Sequence, residues 1–441
     1  MKKYIWTSLI ALLVICRLVA QSQESTKADP RVVWLKKNAV ELHSIDPINE
    51  DFSDLAALKK ILKNVNLVLL GEESHGDGTT FLAKSRLIKF LHQEMGFNVL
   101  VFESGIYDCY NAWQLFTEGT DIHTAFRRGV WGMWSESQQV QSLIDYIGQT
   151  YATGEPLEFA GLDNFFIPDS IRAEVLVNEL RQIVDSINLF GHKDERITSF
   201  INAVQHFVHY RDTFEKLNEV QVENFVSTAI ELASSVESSN VLKSRDQAFW
   251  ARVLENLALD MQWSGLDFQN PDWALVERRD RQIAHNLLSL MQDQYPDQKF
   301  IVWAASMHNA RNLNQIEVQD SALHALYQHK SVMGDVLWDE LHEEMYSLAF
   351  TAFEGEFGVW AAAEPTKLEV ASSNSLEDLL VRAGHNNAIV DFRKPKAGGK
   401  WLKEKLKSRP LGYTEMIANW NLVFDGMLFT RVMTPSTKAG E

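Results

Sequence analysis

Cysteine is nearly missing from this sequence: 441 residues hold two, Cys16 and Cys109. Cys16 falls in a leader segment, so Cys109 stands alone. No internal disulfide can then form, and thiolate metal clusters are excluded. Long apolar runs are also missing, and after the first twenty residues nothing approaches the ~18 consecutive apolar residues of a membrane span. Positive charge is scarce, with 42 Lys and Arg against 59 Asp and Glu and a formal charge of -17. So acidic a surface repels phosphate backbones and argues against a nucleic-acid partner. Proline is absent between Pro168 and Pro271, where glycine occurs only at Gly191 and Gly265. Without breakers, that stretch can support long helices.

What is present begins with a leader. Lys2 and Lys3, the apolar run "IWTSLIALLVIC" and the small residue Ala20 read as a signal peptide over residues 1–20. The mature chain is then expected to be secreted or periplasmic. A lipoprotein anchored at Cys16 is the second reading, set back by Ile15 where a small residue is needed and by Arg17 just after it. Cleavage removes Lys2, Lys3 and Arg17 and carries the formal charge to about -20.

Short runs rich in Val, Ile, Leu and Phe read as buried strands: 67–70, 98–103, 157–163, 299–305, and later 345–353, 388–392 and 427–432. Their apolar character is continuous rather than alternating, which suits strands covered on both faces. Helical patterns separate them; over 81–95, Leu82, Leu87, Leu91 and Met95 fall on one face. This alternation predicts an α/β fold, a mainly parallel sheet flanked by helices. Ile197, Phe200, Ile201, Val204, Phe207 and Val208 repeat at helical spacing. The expected organisation is an α/β domain in two halves, 21–165 and 270–436, with a helical insertion at 166–269.

Ligands in open α/β sheets bind outside the carboxyl ends of the strands. The first strand candidate ends in Glu72 and His75, the second in Glu103, the third in Asp163-Asn164, and the fourth reaches His308. Four carboxylates or imidazoles in succession mark a convergent site. The plain alternative for Glu72 and His75 is a solvated turn before a helix, and for Glu103 an ion pair with Arg86 or Arg279. The chemical reading has Glu72 orienting His75, whose ordinary pKa of ~6.5 suits proton transfer near neutrality. Gly76 and Gly78 leave room for backbone close to a substrate.

Other motifs fail. "GDGTTF" lacks the third glycine of a dinucleotide fingerprint, no G-x-S-x-G surrounds Ser74, Ser104 or Ser306, and "HEEMY" lacks a second histidine. Trp131 and Trp134 in "RRGVWGMWSES" are candidates to stack on a ring-bearing ligand, or plugs between sheet and insertion.

The ordered set "LGEESHG", "FESG", "GLDN", Arg279-Asp280, "VWAASMHNAR", "SVMGDVL" and "FDGMLFTRVMTP" resembles the erythromycin esterase family over nearly the whole mature chain. The resemblance implies an α/β core and hydrolysis of an ester or lactone, macrolide antibiotics in the characterised members, without metal or other cofactor. It implies His75 as general base on water, with Glu72, Glu103 and His308 as orienting and charge-stabilising residues, and it assigns no part to the Arg279-Asp280 motif. On their own positions in the sequence, Asp163, Arg279, Trp131 and Trp134 are expected toward substrate. Two departures stand out: Ala305-Ser306 replaces His-Asn, and Thr79-Thr80 replace a glutamate. A small-molecule ester or lactone is the expected partner. Two other readings remain: a metal- or haem-binding protein of the wider G-x-x-H group using Glu72, His75, Glu103 and His308 as ligands, or an exported glycan-binding protein linked to exopolysaccharide.

Overall fold

The structure, a computed structural model, describes residues 28–187, 195–210, 217–239, 243–267, 271–329 and 331–440. The leader and Cys16 lie outside the described residues. Eleven strands are present among those described: β1 (Val40–Glu41), β2 (Leu67–Leu70), β3 (Val99–Gly105), β4 (Glu158–Asp163), β5 (Phe300–Trp303), β6 (Met345–Phe357), β7 (Thr366–Leu368), β8 (Asn387–Asp391), β9 (Leu406–Ser408), β10 (Met416–Ala418) and β11 (Gly426–Met433).

Nine strands form one sheet in the order β1-β8-β11-β6-β2-β5-β3-β4, with β7 beside β6. The six from β11 to β4 are mutually parallel, while β8, β1 and β7 pair antiparallel. Side chains alternate across a strand, and here both faces are covered. Val68, Leu70, Leu100, Phe102, Ile301 and Trp303 pack on one side against the helices Gly78–Met95 and Gln138–Thr153. Leu67, Leu69, Val99, Val101, Phe300 and Val302 pack on the other against Ile283, Ala284 and Leu287 of the helix Trp273–Ser289. Two covered faces are why the strand runs read as continuously apolar.

The helix Gly78–Met95 starts three residues before its expected position and is buried far beyond a single apolar stripe: Lys84, Arg86 and Lys89 are buried with Phe81, Ile88 and Leu91, while Leu82 is only half-buried. Arg86 pairs with Asp54 at 2.8 Å, so it is not the partner of Glu103.

Between β4 and the helix Trp273–Ser289 the described residues contain no strand. Four helices, Ser170–Ile187, Glu195–His209, Glu219–Glu237 and Ser244–Trp263, share a core of their own that includes Leu176, Phe200, Val204, Phe225 and Leu257. Ile106, Tyr107 and Phe166 join this core from the segments just after β3 and β4. The third helix is closed by a reciprocal cap, with Asn218 accepting from the amide of Gln221 and Gln221 accepting from that of Asn218.

Candidate active site

β2, β5, β3 and β4 are neighbours in the sheet and run the same way, so their carboxyl ends form one continuous edge. β5 enters between β2 and β3, which is where chain direction across the sheet reverses and a ligand crevice opens. All the strand-end residues singled out from sequence arrive at this edge.

Glu72 follows β2 after Gly71 and is 1% exposed. Its Oε2 accepts from Lys84 Nζ at 2.7 Å, and its Oε1 accepts from the Trp134 indole at 3.0 Å and meets His75 Nδ1 at 2.9 Å. Burial alone would raise this carboxyl, but Lys84 and His75 hold it below the ordinary value, so it is ionised. Lys84 comes from the helix that follows and is fully buried, with its ammonium 4.6 Å from the Trp303 ring centre. The sequence reading missed Lys84. Its signal was a lysine three residues after Phe81 and four before Ile88, on the stripe that faces the sheet.

His75 keeps 38% of its side chain exposed. Burial works against charging it, yet the Glu72 hydrogen bond and nearby Glu103 prevail and raise its pKa above 6.5. The turn that carries it is tightly held. Asp77 Oδ2 accepts from the amides of Glu73 and Ser74 at 3.1 and 3.0 Å. Gly76 lies against the backbone of Gly358, where a Cβ would stand 2.1 Å from the carbonyl carbon, so only glycine fits.

A second group gathers on β3, β4 and β5. Arg279 and Asp280 are successive residues of one helix, about 100° apart around its axis, and so serve different partners. Arg279 grips Asp163 with two hydrogen bonds, Nε to Oδ1 at 3.2 Å and Nη2 to Oδ2 at 2.6 Å, and reaches Glu103 at 3.4 Å. Its guanidinium lies 4.7 Å from the Phe165 ring centre and 5.6 Å from that of Trp263. Asp280 is buried and bonds His308 Nδ1, while His308 Nε2 meets Glu103 Oε1 at 3.1 Å. Glu103 also accepts from the Ala305 amide at 2.9 Å.

His308 is raised to about 9: burial opposes its charge, but Asp280 and Glu103 on either side overcome it. Glu103 is pushed the other way, well below the ordinary carboxylate range, by the facing His308 against the effect of burial. A protonated His308 donates from both ring nitrogens, so Arg279 Nη1, 3.2 Å from Nε2, makes a contact there but no hydrogen bond. His308 has no N–H left over for an oxyanion and acts instead as a buried cation that holds Glu103.

A hollow of about 490 Å³ opens over these groups. His75, Glu103, Asp163 and Arg279 supply its polar wall, and Trp131, Phe165 and Trp263 its aromatic wall. Trp134 does not contribute a face. It is fully buried, its indole N–H goes to Glu72, and its ring meets His75 edge-on with centres 5.4 Å apart. The residues expected to stack therefore divide: Trp131 lines the hollow, and Trp134 supports the Glu72–His75 pair. Phe165 and Trp263, which the sequence did not single out, take its place on the wall.

Among the described residues no set of three or more His, Cys, Asp or Glu side chains is arranged to hold a metal ion. The reason is visible in the pairing: Glu72, Glu103, Asp163 and Asp280 each already face Lys84, Arg279 or His308.

Comparison with known proteins agrees with this layout. The erythromycin esterase family model matches residues 92–432. YbfO of Bacillus subtilis (strain 168), which carries a provisional hydrolase name, is 26% identical over 458 residues, covering 99% of each chain. Erythromycin esterase type II of Escherichia coli is 21% identical, over 82% of this chain and 88% of its own. A crystal structure of a Bacillus cereus protein superposes with a TM-score of 0.74 at 19% identity, over 93% of this chain and 100% of the other, which speaks to the fold. With the family model spanning β3 to β11 and the strand-end residues in one hollow, the chain belongs to the erythromycin esterase family.

Proposed function

We propose that this protein hydrolyses a carboxylic ester or lactone, with His75 as general base on water. One observation carries the reading. Glu72, kept ionised by buried Lys84, holds His75 by Nδ1, which leaves Nε2 as the ring nitrogen available in a hollow that also presents Arg279. A base whose second nitrogen is held by a carboxylate keeps one tautomer and one orientation.

In the proposed reaction a water molecule on Nε2 attacks the ester carbonyl carbon. The new C–O bond forms as the water proton passes to Nε2. Arg279, on the same hollow, meets the charge that develops on the carbonyl oxygen. Collapse of the tetrahedral intermediate breaks the bond to the leaving oxygen, which takes the proton from His75. The products are an acid and an alcohol, or one hydroxy acid from a lactone. Glu103 and Asp163 fix Arg279 in place, and His308 neutralises Glu103.

The test is an ester and lactone panel, macrolides included, run on wild type and His75→Ala side by side. A positioned base is worth roughly 10²–10⁴-fold in rate, so turnover should fall by at least ~100-fold with an unchanged melting temperature. Wild-type-like turnover in the variant dismisses the mechanism. Glycan affinity without any ester turnover, untouched by His75→Ala, replaces it with the binding reading that the Trp131, Phe165 and Trp263 wall would serve. Stoichiometric metal or haem in protein purified without supplements replaces it with the ligand reading.

A further inference from the structure

A second hollow lies at the opposite edge of the sheet. Because β8 runs antiparallel to β11, its carboxyl end reaches the edge where β2 and β6 begin. There Val390 and Val65 meet Trp34 and Ile61 around a space of about 840 Å³, within the ~300–1,000 Å³ of small-molecule sites. Trp34 is a fixed wall: its indole N–H donates to the Ala397 carbonyl at 3.0 Å, and its ring meets Trp401 edge-on with centres 5.9 Å apart. At Gly399 a Cβ would stand 2.5 Å from the Trp34 ring, so the loop beyond β8 can close on that wall only through glycine.

The charge around this space runs against the charge of the chain. Lys60, Lys63, Lys394 and Lys396 line it, in a sequence with a net charge of -17. Among the described residues none of the four forms an ion pair. Asp391 and Glu344 nearby are engaged, accepting from the Tyr346 hydroxyl at 3.1 Å and the Asn66 amide at 3.0 Å. Arg393 is engaged too, with Asp425 at 2.8 Å and with the carbonyls of Glu343 and Met345. Glu343 lies exposed at the rim. Apolar walls with four unpaired ammonium groups around them complement a hydrocarbon tail that ends in an anion.

We propose that this hollow binds a single-chain anionic amphiphile of the fatty-carboxylate kind, with the tail along the partly exposed Trp34, Val40 and Ile61 and the carboxylate among the lysines. It is a site separate from the ester-cleaving hollow and does not depend on that reading.

The full chain is titrated by calorimetry with octanoate, decanoate and dodecanoate below their micelle concentrations. One site is expected, with Kd falling about fourfold for each added CH₂. The combined change of Lys60, Lys63, Lys394 and Lys396 to Glu should raise the dodecanoate Kd at least ~10-fold, and so should Ala57→Trp, which places an indole in the hollow. Both variants should keep the wild-type melting temperature, which separates loss of the site from loss of the fold. A Kd independent of tail length overturns the proposal. So do equal affinity for dodecyltrimethylammonium, an unchanged Kd in the charge-reversed variant, and binding to anionic lipid vesicles alone.

Discussion

Glu72 and Glu73 are the same residue one position apart, and the fold sends them to opposite sides of the segment that leaves β2. On the Glu72 side every carboxylate has a cation: Lys84 for Glu72, Arg279 for Asp163 and Glu103, His308 between Glu103 and Asp280. On the other side Glu73 accepts from the Ser306 hydroxyl and the Tyr413 amide, each at 3.3 Å, and Asp77 from the amides of Glu73 and Ser74. Among the described residues neither is bonded to a cation. Burial, and then the nearness of Asp77, push Glu73 well above the ordinary range; burial lifts Asp77 to about 7. One side is ionised; on the other, Glu73 is held toward its protonated form and Asp77, at about 7, keeps its proton below neutrality. Residue type did not decide this, since a cation arriving from elsewhere in the chain did. The ionised side orients His75, and the other side holds the turn on which His75 sits.

The largest effect expected from this contrast follows removal of the cation. Lys84→Met leaves the buried Glu72 carboxyl without its cation, which costs roughly 3–5 kcal/mol of stability. Chemical denaturation measures that loss. Turnover should fall at least ~100-fold as Glu72 takes up a proton and releases its grip on His75. Adding Glu72→Gln to Lys84→Met should restore most of the stability and none of the turnover. A Lys84→Met protein as stable as wild type would break the comparison, because Glu72 would then owe its charge to something else.

The strands were readable from the sequence, and the pairing of charges was not. β2, β3, β4 and β5 announce themselves as apolar runs of four to seven residues because both sheet faces are covered, and burial of this kind is a local property of the run. Their polar termini followed from the same local logic, which is why Glu72, His75, Glu103, Asp163 and His308 could be named. The antiparallel sense of β8 left no trace in its residues, since a buried strand looks alike in either direction. Lys84 was passed over, and Asp280 was named in a motif but given no role, because their meaning lies in partners that follow other strands. Trp134 was placed with Trp131 because a tryptophan beside glycines looks exposed. Its burial depends on Glu72, 62 residues earlier, accepting its indole proton.

A middle-sized effect separates stability from activity by pH. The value of about 9 for His308 in the folded protein lies above the unfolded ~6.5. Its pairing with Asp280 and Glu103 therefore stabilises the fold fully below pH ~6.5 and is lost as pH rises through about 9. His75 is also raised, but as a base it works only when neutral, so turnover should climb with pH to an inflection above 6.5. Stability and turnover should thus move in opposite directions over a shared window. In His308→Gln the alkaline decline in the denaturation midpoint should flatten. A decline that persists unchanged in His308→Gln assigns it to another group.

The smallest effect is expected at Glu73, and it tests the protonated side directly. A glutamate that already holds its proton is close in shape and charge to glutamine, so Glu73→Gln should change stability by less than ~1 kcal/mol at pH 5 and turnover by less than about threefold. Glu72→Gln, one position earlier, should lower turnover at least ~100-fold. The pH dependence has a definite sign. The folded-state pKa of Glu73 is raised above the unfolded value, so its contribution is intact at low pH and fades as pH climbs past about 4.5 toward the raised value. Glutamine cannot ionise, so the variant should gain on wild type between pH 5 and pH 8 in paired denaturation curves. If Glu73→Gln instead loses turnover as Glu72→Gln does, or falls behind wild type as pH rises, then Glu73 is charged in the folded protein and the two sides of the turn are not chemically distinct.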